Sequence, residues 1–121
     1  MKMSANYPNQ TERSEISKQF QDRINKIVST KWKLKSITET GIVTDEADFK
    51  NVEIVFSQFH IYALYGNRVD KFKYNFLSKN TFTVNIENND VKCRIKELTD
   101  TNLIFHADFR NAHFIVELEA H

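Results

Sequence analysis

The run KFKYNFLSKNTFTVNIENNDVKCRIK, residues 71–96, changes character at every second position. Phe72, Tyr74 and Phe76 alternate with Lys71, Lys73 and Asn75. Phe82, Val84 and Ile86 alternate with Thr81, Thr83, Asn85 and Glu87, and then Val91, Cys93 and Ile95 with Lys92, Arg94 and Lys96. Successive side chains of a strand point to opposite faces, so a period of two marks a half-buried strand. Between the runs stand Ser78-Lys79-Asn80 and Asn88-Asn89-Asp90, turn formers by composition. Three strands joined by two short turns make an antiparallel meander with one apolar face.

The same rhythm extends both ways. Upstream, Trp32 and Leu34 open a first strand, and Gly41 is one of two glycines available to turn the chain. Val52, Ile54 and Phe56 form a second stripe. Phe59, Ile61, Ala63 and Tyr65 form a third, which ends at Gly66-Asn67, a hairpin signal. Downstream, Thr99-Asp100-Thr101-Asn102 turns the chain into Leu103, Phe105, Ala107 and Phe109, and a last stripe holds Phe114, Val116 and Leu118. That makes about eight strands, each taking about 11 residues with its turn. A flat sheet of that size leaves edges, whereas eight strands suffice to close a barrel.

Before the strands the period is that of a helix. Ile16, Phe20, Ile24, Ile27 and Val28 share one face, and the opposite face is mixed in charge, which favours packing on the barrel over a membrane. Asn9 with Glu12, or Ser14, supplies the N-cap. The sequence therefore predicts a mostly β fold: an eight-stranded antiparallel up-and-down barrel preceded by one amphipathic helix. Residues 1–10 read as a flexible lead-in and 11–121 as one domain, with the helix at about 11–29 and the barrel at about 30–121. With Asn111-Ala112 as the last turn, Phe109 would face Phe114 and Ala107 would face Val116, leaving Asp108 against Ile115 as the one poor match. A longer loop centred on the same turn preserves these faces.

Thr30-Lys31-Trp32-Lys33-Leu34 at the first strand, the meander, and Ile95-Lys96-Glu97-Leu98-Thr99-Asp100-Thr101-Asn102-Leu103-Ile104-Phe105 resemble the small bacterial lipocalin-like β-barrel proteins. Thr30 stands where that family commonly has glycine. The resemblance spans roughly residues 30–121. It implies a barrel closed at one end by the opening Trp32, with a cavity for an apolar small molecule.

Composition narrows the chemistry. The chain has 17 Lys and Arg against 16 Asp and Glu, a net charge of +1 that offers no field for nucleic acid or membrane. Arg68, Lys71, Lys73 and Lys79 do interleave with Phe72, Tyr74 and Phe76, but alternation sets Lys71 and Lys73 on the face opposite those rings. Two Gly and one Pro in 121 residues exclude collagen-like and linker-rich chains and any glycine-cradled phosphate loop. Cys93 is the only cysteine, so there is no internal disulfide, and its apolar stripe predicts a buried, inert thiol. Of the four histidines, which include His60 and His121, His106 and His113 stand near Asp108 on the polar side of the final hairpin. Arg110 beside them opposes a metal cation. Asp45, Glu46 and Asp48 form a solvated loop cluster, and no serine sits in a nucleophile elbow. The expectation is no enzyme, cofactor or metal. With no apolar leader run and no stretch near 18 apolar residues, a cytoplasmic location is expected.

Function then rests on the barrel interior, whose candidate lining is Trp32, Leu34, Phe56, Tyr65, Phe72, Tyr74, Phe76, Phe82, Phe105, Phe109 and Phe114. Tyr65 and Tyr74 would supply the polar contacts of a ligand site. One reading is a non-catalytic barrel that binds a small apolar ligand. The alternative is a filled barrel acting as an interaction or structural module, a subunit that meets a protein partner. Ten Phe and few small residues argue for a narrow or filled interior.

Overall fold

The computed structural model describes residues 10–40, 42–43 and 51–121, and within it each period-two run contains a strand. Helix α1 (Gln10–Ser29) leads into β1 (Trp32–Glu39), β2 (Ile42–Val43), β3 (Glu53–Phe56), β4 (His60–Tyr65) and β5 (Arg68–Ser78). Then follow β6 (Thr81–Ile86), β7 (Asn89–Leu98), β8 (Asn102–Phe109) and β9 (Ala112–Ala120). From β3 to β9 each strand pairs antiparallel with the next. β1 pairs with both β3 and β9, which closes eight strands into an up-and-down barrel. β2 is a two-residue arm folded back on the far end of β1, where Thr38 meets Val43. Two residues are too few to show a period, so the sequence gives no sign of it.

Ser14 lies inside α1, which removes it as an N-cap; Asn9, Gly41 and the Asp45, Glu46, Asp48 cluster lie outside the described residues. Phe59, expected on an inward stripe, stands in the β3–β4 turn and is 64% exposed. Ser57 stitches that turn, its backbone N–H and hydroxyl both donating to the His60 carbonyl at 2.8 and 3.0 Å.

The barrel has two ends. At one lie Trp32, the 57–59, 79–80 and 99–101 turns, and α1; at the other, the mouth, lie the tips of the β4–β5, β6–β7 and β8–β9 hairpins. Backbone sterics set these tips. Glu87 and Asn88 (φ 51° and 66°) and Arg110 and Asn111 (φ 52° and 63°) are left-handed pairs, as a type I′ turn requires. Gly66, at φ 58°, takes the first place of its two-residue turn, where only the backbone angle asks for glycine, since an added Cβ would meet nothing within 4 Å.

The last turn corrects the predicted register. Its central residues are Arg110-Asn111, so Phe109 meets Ala112, Ala107 meets Phe114 and Asp108 meets His113. Alanine is poorly suited to the positive φ of a tight hairpin, while asparagine tolerates it. The shift keeps every side chain on its predicted face and turns the one poor match, Asp108, into a hydrogen-bonded pair with His113.

Helix α1 covers the closed end with its predicted apolar face. Ile27 is 1% exposed, Val28 packs on the core, and the Phe20 ring meets Phe76 edge-on at 6.3 Å. The Trp32 indole N–H donates to the Ile27 carbonyl (3.0 Å) and the Thr30 hydroxyl to the Lys26 carbonyl (2.6 Å), satisfying acceptors that a helix C-terminus leaves open. Arg23 reaches the Lys79 carbonyl at 3.0 Å and the Asn80 side chain at 2.8 Å, while Lys26 pairs with Asp100. The helix thus ties down two turns of the closed end.

Candidate functional site

Side-chain size divides the interior. At the closed end Trp32 and Leu103 are fully buried, and Phe82 packs edge-on or tilted against Phe56, Tyr74, Phe76 and Phe105 with ring centroids 5.2 to 6.4 Å apart. Here the barrel is solid. Towards the mouth the same stripes line a cavity of about 340 Å³.

Short side chains meeting across strands make that space. Val84 pairs with Val91 and Cys93 with Ala107, and all four line the cavity together with Val116. Rings and branched chains form most of the remaining wall: Phe56, Phe105, Leu34 and Leu118 towards the floor, and Phe72, Phe109, Phe114, Ile37 and Ile86 towards the mouth. Every lining residue is apolar, and no polar or charged residue is buried among the described residues.

Of the predicted interior, Leu34, Phe56, Phe72, Phe105, Phe109 and Phe114 line the cavity. Trp32, Tyr74, Phe76 and Phe82 do not; they belong to the packed end or its edge. Tyr65 sits on the same stripe at the rim, where its hydroxyl donates to Asp70 at 2.5 Å and Arg68 lies over its ring. That hydrogen bond holds the Asp70 carboxyl below its ordinary value. The Tyr74 hydroxyl donates to the Ser57 carbonyl. Both tyrosine hydroxyls therefore have acceptors within the protein, and neither tyrosine is part of the cavity wall. Ile54, Ile61, Val84, Val91, Cys93 and Ala107, absent from the predicted set, line the space. They occupy the predicted stripes, but choosing candidates by ring content passes over residues whose shortness creates the room.

Burial pushes the Cys93 thiol up to about 12, which makes it an apolar wall group, as its stripe predicts. On the outer face of the last hairpin the polar cluster forms as a chain. His113 Nδ1 lies 2.7 Å from Asp108, His113 Nε2 lies 3.1 Å from His106 Nδ1, and Arg94 lies 3.3 Å from Asp108. Arg94 takes the place anticipated for Arg110, which instead pairs with Glu87. Burial, followed by the charges of His113, Lys96 and Arg94, lowers the His106 pKa. Among the described residues no group of three or more His, Cys, Asp or Glu could hold a metal ion, and no helix is long and apolar enough to cross a membrane.

The fold and cavity define the class: an eight-stranded up-and-down barrel, consistent with a lipocalin-like fold, packed at one end and hollow at the other. Comparisons with protein-family models, curated proteins and solved structures gave no match.

Proposed function

We propose that the protein is a non-catalytic carrier that holds one small, uncharged apolar molecule in the hollow half of its barrel. The cavity of about 340 Å³ with its wholly apolar wall carries this reading. A cavity of about 150 Å³ lined by aliphatic and aromatic groups stays dry and takes up benzene, and specific ligand pockets begin at about 300 Å³. Charge is disfavoured in the occupant because the wall offers no partner for it. Among the described residues the neutral thiol of Cys93 is the only heteroatom group on the lining, and it is neither a nucleophile nor an acid at ordinary pH. A groove of about 480 Å³ between Phe59, His60, Lys73 and Asp90 has charged, water-facing walls and gives an apolar molecule less shelter.

Titration with N-phenyl-1-naphthylamine, a neutral dye that brightens in apolar surroundings, tests the proposal. The expected result is saturable binding at one dye per chain, abolished by Ala107→Phe, which fills the space while the far-UV circular dichroism stays unchanged. Absence of saturable binding by this dye and by a panel of smaller neutral hydrocarbons would overturn it, and the filled-module alternative would then stand.

A further inference from the structure

The ladders of the barrel are unequal in a way that bears on entry to the cavity. β4–β5, β6–β7 and β8–β9 are paired up to their mouth-side turns, ending in Tyr65↔Arg68, Ile86↔Asn89 and Phe109↔Ala112. β5–β6 stops at Tyr74↔Val84, and β7–β8 stops at Cys93↔Ala107. No pair joins Phe72 to Ile86 or Val91 to Phe109, although all four side chains line the cavity. Both of the ladders that part carry a bulge on their closed-end side, at Leu77 and at Lys96, where the extra residue raises the local twist.

The tip of the β6–β7 hairpin, residues 85–91, is therefore a two-stranded finger with no paired neighbour on either flank. The other tips differ. β9 beside the β8–β9 tip is paired with β1 as far as Glu39↔Phe114, and β4 is paired with β3 up to Glu53↔Leu64. On the β8 side the finger is held by side chains: Glu87 pairs with Arg110, whose guanidinium lies over the Phe109 ring at 5.0 Å, and near the base Arg94 reaches Asp108. On the β5 side no side-chain hydrogen bond or ion pair joins residues 68–73 to 85–91 among the described residues. Exposed ion pairs are weak ties, and isolated two-stranded ribbons are marginally stable.

We propose that residues 85–91 form a flap latched by Glu87–Arg110, and that a ligand enters and leaves the cavity between β5 and β6, past Phe72 and Ile86, when the flap lifts. This rests on the carrier reading for its purpose, while the motion itself is testable without any ligand. In hydrogen exchange on the unliganded protein, amides bonded within the β6–β7 tip should exchange on the order of tenfold faster than those bonded within the β8–β9 tip. Equal or slower exchange rejects the flap. The double variant Glu87→Cys with Arg110→Cys, bridged by a short bis-methanethiosulfonate cross-linker, should slow release of N-phenyl-1-naphthylamine about tenfold and recover on reduction, while Glu87→Gln should quicken it. Release unchanged by the cross-link in a protein that still binds the dye overturns the gate. Failure of the dye to bind at all counts against the carrier reading, and exchange still decides the flap.

Discussion

The two halves of this barrel are built from the same strands and the same alternation, yet one is solid and the other hollow. In the closed half Trp32, Phe56, Tyr74, Phe82 and Leu103 pack together, and Phe82 alone meets four other rings. In the open half the short side chains of Val84, Val91, Cys93 and Ala107 meet in cross-strand pairs on β6, β7 and β8, below the larger Ile86 and Phe109. Dispersion is lost wherever a wall atom has no partner across a gap, so the hollow half contributes less stability per residue. It is also where the ladders part. The cavity and the unpaired ladder ends share one end of the molecule, as the proposed carrier role requires.

Truncation should expose the contrast most strongly. Phe82→Ala is expected to lower unfolding free energy by about 3–5 kcal/mol, as deletion of a fully packed ring does, and Phe109→Ala by less than about 2 kcal/mol because much of its cavity-facing side already lacks contacts. Urea titration of both variants measures the difference. Equal losses would mean that the two halves are equally well packed.

A smaller effect concerns access. With its pKa near 12, the Cys93 thiol is ionised to roughly one part in ten thousand at pH 8, so reaction with a thiol-specific disulfide reagent should lag far behind that of free cysteine. Because Cys93 lines the cavity, bound dye should slow the reaction further. Rapid labelling indifferent to dye would break the assignment of Cys93 to the hollow wall.

The smallest expected effect lies outside the barrel. His106 has a lowered pKa in the folded state, so below its ordinary value of 6.5 the unfolded chain binds more protons and stability declines as pH falls. His106→Gln should flatten that decline as pH drops from 6.5 towards 5. Asp108 is shifted down chiefly by its hydrogen bond from His113, so its contribution is present above the ordinary 3.8 and lost as pH falls further through the folded value. Two separate steps in stability against pH are expected, with only the upper one removed by the variant.

Much of this was legible in the alternation of residues 71–96. Period two assigns strand and face, and the faces hold even where the final register shifts by two, because a two-residue shift preserves alternation. The helix face was equally clear from Ile24, Ile27 and Val28. The cavity was not. Ten Phe and few small residues argue for a filled interior, but room in a barrel depends on which residues lie side by side. Cys93 and Ala107 are fourteen positions apart in sequence and become partners only through the bulged β7–β8 register. The acceptors of the tyrosine hydroxyls are hidden for a similar reason: Ser57 and Asp70 are brought close by turns rather than by spacing along a strand.

The closing ladder has a consequence for how the chain is made. Trp32 pairs with Ala120, so β1 must wait for the last strand before the barrel can shut. Contacts so distant in sequence form slowly, because the intervening loop has to be closed first. During synthesis the hairpins from β3 to β8 can assemble as they emerge, but the cavity has no complete wall until β9 leaves the ribosome. Until then its apolar lining stands open to water and to other chains, and that interval, rather than the finished barrel, is where this protein is most exposed to aggregation.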